Sequence, residues 1–106
     1  MRPLLCVFVT LIFGVLPSAI AAEPASAFVS IRGLRYNPPT VRINVGGTVT
    51  WSNDDEFDHT VVADDGSFSS GNLKSGRTFS HRFNQRGTYG YGCRLHPRMR
   101  GSVVVE

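Results

Sequence analysis

Short runs of alternating apolar and polar residues, separated by turn residues, limit most strongly how this chain can fold. Residues 28–32, 41–45 and 78–83 alternate with a period of two, and residues 101–106 are rich in valine. No stretch carries an apolar period of 3.6 residues over three turns, so helices are not expected. Six or seven strands at this spacing predict an all-β domain, either a sandwich or a small barrel.

The turn residues suggest how the strands connect. Pro38 and Pro39 interrupt the chain because neither can donate a hydrogen bond to a strand ladder. The Gly46–Gly47 pair predicts a tight turn, and we expect the runs 41–45 and 48–52 on either side of it to form a hairpin. Residues 59–63 and 88–93 are further predicted strands. Residues 64–76 are a polar connection, and the valine-rich run at the end is a central or inward-facing strand.

The first 22 residues differ in composition from the rest and predict a signal peptide. Arg2 provides a positive start, an apolar run covers residues 4–16, and Ala21 and Ala22 supply small residues for cleavage. The apolar run is shorter than the roughly 20 residues of a membrane span. We therefore expect an exported protein, periplasmic in a Gram-negative cell and otherwise secreted, with one domain at residues 23–106 and no membrane segment in the mature form.

The charge of the mature chain argues against nucleic acid as a partner. Removing residues 1–22 takes away one arginine and leaves ten Lys and Arg against eight Asp and Glu, a net charge of +2. Such a weak excess, without a basic run, does not provide the phosphate neutralisation that nucleic-acid binding requires. The charges are instead local: an acidic group at residues 54–58, expected to be a solvated loop, and a basic group of Arg94, Arg98 and Arg100.

Cys93 is the only cysteine outside the predicted signal peptide, because Cys6 lies within it. An internal disulfide is therefore impossible in the mature chain. A lone thiol in an oxidising compartment indicates intermolecular pairing, a reactive thiol or a metal ligand.

The neighbours of Cys93 favour the metal. Cys93, His96 and Met99 follow one another with two residues between each, which fits a tight loop that turns all three side chains to one point. His59, at the start of a predicted strand, is the natural fourth ligand. Two imidazoles, a thiolate and a weak axial thioether describe a blue-copper electron-transfer site, whereas structural zinc rarely uses methionine. One copper ion cycling between two oxidation states needs no general base or nucleophile, so we do not expect an enzyme.

Three further segments carry a resemblance to a known family. They are G-T-V-T-W-S-N at residues 47–53, G-T-Y-G-Y-G-C at 87–93 and M-R-G-S-V-V-V-E at 99–106. Together with the short C-x-x-H-x-x-M loop, they make the mature chain similar to the cupredoxins, most closely the amicyanin group and more distantly pseudoazurin and plastocyanin. The resemblance implies a Greek-key β-sandwich, a type 1 copper held by His59, Cys93, His96 and Met99, and a role as a periplasmic electron carrier.

The sequence departs from the family around the ligands. Arg94, Leu95 and Arg98 replace residues that are commonly Thr, Pro and Phe, so the surface near His96 would carry two cations. We expect docking of redox partners, such as a dehydrogenase, cytochrome or oxidase, on Arg94, Leu95, Pro97 and Arg98, with the protein itself a monomer. Thr60 replaces a common Asn after the first histidine, and we expect Thr60 and Asn53 to support the ligands by hydrogen bonds.

Other interpretations remain open from the residues alone. A periplasmic protein that binds and delivers Cu(I) would use the same soft ligands, and the fold could also serve only as an interaction module. Cys93 could be a buried thiol, Met99 a core residue, and His96–Pro97 a plain turn. His81 is expected to be structural or partly exposed. Core and strand packing, and not an electron relay, is the expected role of the aromatic residues Phe28, Trp51, Phe57, Phe79, Phe83, Tyr89 and Tyr91.

Overall fold

The computed structural model describes Gly14 and residues 25–106. Apart from Gly14, the expected signal peptide at residues 1–22 lies outside the described residues. The described part of the chain contains no helix long and apolar enough to span a membrane.

Eight strands form two four-stranded sheets. The first sheet has the order β2-β1-β4-β6 and the second the order β3-β8-β7-β5. The strands are β1 (Ser26–Ile31), β2 (Tyr36–Asn37), β3 (Thr40–Ile43), β4 (Thr48–Asn53), β5 (Val62–Ala63), β6 (Thr78–Arg82), β7 (Gly87–Gly92) and β8 (Arg100–Val105). Each sheet contains one parallel pair, β1 with β4 and β3 with β8, and the other pairs are antiparallel. The predicted all-β sandwich is confirmed.

Alternation along the strands builds the core between the sheets. In β4, Val49, Trp51 and Asn53 are buried while the residues between them are half-exposed. In β8, Val103 and Val105 are buried in the same way, and this strand lies between β3 and β7 as the valine-rich run predicted. Burial of these apolar side chains is the main favourable contribution to folding, about 25 cal/mol for each Å² removed from water.

The predicted hairpin through Gly46–Gly47 is wrong. The turn itself exists, since the Gly47 amide donates to the Asn44 carbonyl and Gly46 has a φ of 89°. The strands on either side, however, lie in different sheets: β3 pairs with β8, and β4 pairs with β1 and β6. Both strands turn their apolar side toward the same interior, so alternation is satisfied equally by pairing within a sheet and by packing across the core.

Two other expectations need correction. The predicted strand at residues 59–63 is shortened to β5, and His59 instead forms an isolated bridge with Leu73. Among the aromatic residues assigned to packing, Phe28 is 72% exposed and Phe57 is 59% exposed. Phe28 occupies an outward position of β1, where the alternation of burial directs it away from the core.

The strand ends define two ends of the sandwich. At the Asn53 end, β4 stops at Asn53 and β7 stops at Gly92, so the following loops emerge side by side. At the Phe83 end, the Phe83 amide donates to the Gly47 carbonyl, and the ring of Phe83 packs against that of Tyr89 with 5.2 Å between centroids. The candidate ligands all lie at the Asn53 end.

Candidate metal centre

The loop between β7 and β8 carries three of the four candidate ligands. Gly92 and Arg100 are register partners in the antiparallel pair, so residues 93–99 close a short connection between adjacent strands. Within this loop the Met99 amide donates to the His96 carbonyl at 2.9 Å, which tightens the turn. Cys93 and Met99 are buried, at 5% and 4% exposure, while His96 is half-buried.

His59 reaches the same point from the connection between β4 and β5. Its amide and carbonyl both bond to Leu73, at 3.1 and 2.7 Å, and its side chain is completely buried. The Nδ1 atom of His59 lies 3.9 Å from Cys93 Sγ, and Nδ1 of His96 lies 3.8 Å from the same sulfur. The ligand atoms of these three residues all lie within 4.8 Å of one another, although His59 and Cys93 are 34 positions apart.

The surroundings of Cys93 favour its thiolate. Burial alone would raise the pKa of the thiol, but the Thr60 amide and the rings of His59 and His96 outweigh it and lower the pKa to about 6. A thiolate is the form of cysteine that binds metal ions. The thiol is therefore prepared for coordination by the protein around it.

Thr60 connects the two segments that carry the ligands. Its amide donates to Cys93 Sγ at 3.3 Å, and its hydroxyl accepts from the Arg94 amide at 2.8 Å, so Thr60 supports the cysteine loop by two hydrogen bonds. Its carbonyl accepts from the buried Tyr36 hydroxyl at 2.7 Å. These three bonds fix the position of the sulfur relative to the strand that follows His59.

Asn53 organises the loop that precedes His59. Its side-chain amide donates to the carbonyls of Phe57 and Leu73, both at 2.8 Å, and its oxygen accepts from the Asp55 amide at 3.0 Å. Because Leu73 is also the bridge partner of His59, Asn53 ties the loop to the strand position that holds the imidazole.

Asp55 is the neighbour that sequence reasoning missed. The sequence predicts a solvated acidic loop here, yet the side chain of Asp55 is only 12% exposed and its Oδ2 lies 2.8 Å from His59 Nε2. Burial would raise the pKa of this carboxyl, but amides of Leu34 and Gly33 and the His59 ring outweigh it, and the net pKa is lowered. The four-residue spacing between Asp55 and His59 was the available signal, but three other acidic residues nearby hid it.

An exposed surface surrounds the half-buried His96. Arg94, Leu95, Pro97 and Arg98 are all exposed, with Leu95 at 52%. Arg100 differs from the other two arginines, because its guanidinium forms two hydrogen bonds with the Asp64 carboxylate. The free cationic character of this surface therefore comes from Arg94 and Arg98.

The donor set fits a copper ion. Two imidazole nitrogens and one thiolate converge, and a buried thioether lies on the same short loop. Soft sulfur with imidazole is the combination that copper prefers, and a methionine beside His₂Cys is typical of electron-transfer copper.

Comparisons with known proteins agree with the site. Residues 25–106 match the model of the copper-binding proteins of the plastocyanin/azurin family. The chain is 38% identical to amicyanin-alpha of Methylorubrum extorquens over 98 residues, which is 88% of this chain and 82% of the relative. It is also 38% identical to amicyanin of Paracoccus denitrificans over 93 residues, covering 81% of this chain and 71% of that one.

Solved structures show the same architecture. The reduced Cu(I) form of an amicyanin variant superposes with a TM-score of 0.71 at 35% identity, covering 81% of this chain and 87% of that one. A purple cupredoxin from Nitrosopumilus maritimus superposes with a TM-score of 0.70 at 34% identity, covering 76% and 99%. The chain therefore belongs to the plastocyanin/azurin family of copper-binding proteins, and copper is its metal.

Proposed function

We propose that this protein is a periplasmic type 1 copper electron carrier in which His59, Cys93, His96 and Met99 hold one copper ion. The observation that supports it best is the convergence of three ligand atoms within 4.8 Å from two separate segments. The relatives named amicyanin make a carrier role the natural one for this site.

The protein contributes a pre-arranged set of ligands. When bound, copper would supply a couple that gains and loses one electron. Cys93 is kept as a thiolate by the Thr60 amide and two imidazoles, and His59 is held by a carboxylate and a backbone bridge. Ligands fixed in this way do not need to rearrange when the charge at the site changes. This favours fast electron transfer, which requires no bond to be made or broken in a substrate.

The surface around His96 is the proposed docking site. His96 is the one candidate imidazole that reaches solvent, and Leu95 and Pro97 beside it offer an apolar contact. Arg94 and Arg98 add positive charge that would steer an acidic redox partner toward this surface. Transient docking of this kind suits a small monomer that diffuses between its partners.

The absorption spectrum of the Cu(II) form tests the proposed site. We expect the purified protein to bind one equivalent of Cu(II) and to show an intense visible thiolate band, which Cys93→Ser abolishes and His81→Gln, away from the site, leaves unchanged. A colourless protein that exchanges Cu(I) rapidly would instead support the delivery role. A protein that binds no copper would overturn both.

The salt dependence of electron transfer tests the docking surface. We expect electron transfer from an acidic redox partner to slow as ionic strength rises, because salt screens the attraction between the partner and the side chains of Arg94 and Arg98. The double variant Arg94→Gln/Arg98→Gln should lose most of this dependence, while Arg86→Gln at the opposite end of the sandwich should keep it. A rate that does not change with salt in the unmodified protein would contradict the surface assignment.

Export is tested on the natural precursor. We expect the first 22 residues to be removed, which leaves residues 23–106 as the mature domain. The mass of the protein released from the periplasmic fraction checks the cleavage site, and an uncleaved protein in the cytoplasm would contradict the proposed location.

A further inference from the structure

The two candidate histidine ligands are held very differently. His59 has both ring nitrogens engaged: Nδ1 faces Cys93 Sγ at 3.9 Å and Nε2 faces Asp55 Oδ2 at 2.8 Å. For His96, the polar contact within the described residues is at Nδ1, which lies 3.8 Å from the same sulfur. The buried imidazole thus has an outer partner that the half-exposed one lacks.

Both oxygens of the Asp55 carboxylate are placed to accept hydrogen bonds, and neither is placed to donate one. Its Oδ1 accepts from the Gly33 amide at 2.7 Å, and its Oδ2 accepts from the Leu34 amide at 3.0 Å. Both oxygens therefore already serve as acceptors. A neutral imidazole carries one N–H, and a carboxylate with its oxygens used in this way can pair only with a nitrogen that bears the hydrogen.

The position of Asp55 is fixed from two separate segments of the chain. Gly33 and Leu34 both have left-handed backbone angles, with φ of 62° and 57°, and successive residues of this kind turn their amides toward one acceptor. The Asp55 amide donates to the buried Asn53 side chain. The carboxylate is therefore held from the β1–β2 connection and from β4, which limits its freedom to leave the ring.

We propose that Asp55 is a positioning residue of the metal centre, which accepts the Nε2–H of His59 and thereby presents the unprotonated Nδ1 toward Cys93 for the metal. This inference rests on the proposed role of His59 as a ligand. It goes beyond that role because it assigns the orientation and tautomer of the ring to one side chain outside the ligand set. Outer partners of this type commonly change metal affinity by about 10–100-fold when they are removed.

The tautomer is measured first, in the metal-free protein. Nitrogen-15 NMR of the imidazole rings should show the neutral ring of His59 protonated at Nε2, with a proton that exchanges slowly with solvent. In Asp55→Asn, which keeps the size of the side chain, this proton should exchange faster. A wild-type ring protonated at Nδ1, or an exchange rate that Asp55→Asn does not change, would overturn the proposal.

Copper affinity is measured second, by competition with a chelator. We expect Asp55→Asn to weaken binding by about 10–100-fold, Asp55→Glu to recover part of the loss, and Asp54→Asn to leave affinity unchanged. Asp54 is the matched control because it is adjacent and exposed, and its carboxylate bonds to Ser30 and Ser52 instead of a histidine. Equal affinities for the Asp54 and Asp55 variants would overturn the positioning role.

The same variants distinguish the positioning role of Asp55 from an effect on folding and from a failure of the proposed function. The thermal midpoint of the metal-free variants shows whether Asp55→Asn destabilises the protein. If Asp55 only stabilised the loop, Asp55→Glu would fail to restore copper affinity. If the unmodified protein bound no copper, the proposed function would fail, while the NMR result would still decide whether Asp55 sets the state of the His59 ring.

Discussion

The Asn53 end and the Phe83 end of the sandwich are built from different kinds of contact. Within the described residues, the buried polar side chains are Asn53, His59 and Thr60, and all three lie at the Asn53 end. The Phe83 end is held by packed rings, among them Phe68, His81, Phe83 and Tyr89. One end therefore positions atoms through directional hydrogen bonds, and the other stabilises the fold through apolar burial.

This division suggests that stability and site geometry can be changed separately. Apolar packing contributes free energy but tolerates small shifts, whereas a hydrogen bond fixes distance and direction. Changes at the Phe83 end should mainly alter the free energy of unfolding, and changes at the Asn53 end should alter the spectrum and affinity of the copper site.

The largest effect is expected for Phe83→Ala. Phe83 is 2% exposed and contacts Phe68, His81 and Tyr89, so its removal should lower the free energy of unfolding by about 3–5 kcal/mol. Urea unfolding measures the loss, and Phe28→Ala, at an outward ring that is 72% exposed, is the control expected to stay within about 0.5 kcal/mol. A changed visible absorption band in folded, copper-loaded Phe83→Ala would contradict the expectation that stability and site geometry change separately.

A smaller loss of stability, with a clear effect on the site, is expected for Asn53→Ala. The substitution leaves the carbonyls of Phe57 and Leu73 without their side-chain donor and should cost about 1–3 kcal/mol. Because Asn53 also holds the Asp55 amide, copper affinity should fall as well. Asn72→Ala removes an exposed amide bonded to Asp58 and should change neither quantity. Unchanged affinity in Asn53→Ala would argue against the connection through Asp55.

Thr60→Val should change stability by only about 1 kcal/mol, because one hydrogen bond is lost and the side-chain shape is kept. The lost bond is the one from the Arg94 amide, whereas the Thr60 amide still donates to Cys93 Sγ. We expect a shift of the visible band, which reports the position of the sulfur. Thr40→Val, which removes a hydroxyl contact with Ser102 on the surface, is the control. An identical spectrum for Thr60→Val would show that the cross-link does not tune the site.

The smallest effect concerns pH and belongs to the Phe83 end. Burial lowers the pKa of His81, whose ring packs against Phe68 and Phe83. Above the ordinary histidine pKa of about 6.5 the ring is neutral in both states; as pH falls through that value, the unfolded chain takes up the proton first, and stability declines. Unfolding of the metal-free protein between about pH 7.5 and 5 should therefore show a steeper decline for the wild type than for His81→Phe. Equal slopes would refute this role.

The sequence alone was sufficient for the features encoded over short distances. The proximity of the ligands in the Cys93-x-x-His96-x-x-Met99 loop follows from the sequence, because a connection of this length between neighbouring strands keeps its side chains close together. The alternation in β4 and the valines of β8 likewise predicted burial, since the period of a strand is two. Fold class and the metal could therefore be inferred without coordinates.

The pairing of strands and the environment of His59 were decided only by the tertiary structure. Alternation shows that a strand has an apolar face but not which sheet it joins, and for this reason the predicted hairpin of β3 and β4 is wrong. In the same way, the four-residue spacing to His59 is too weak a signal to select Asp55 over Asp54; only the fold brings the amides of Gly33 and Leu34 and the ring of His59 around one of the two carboxylates. Contacts between distant segments depend on the packing of the two sheets, and that packing is a property of the whole chain.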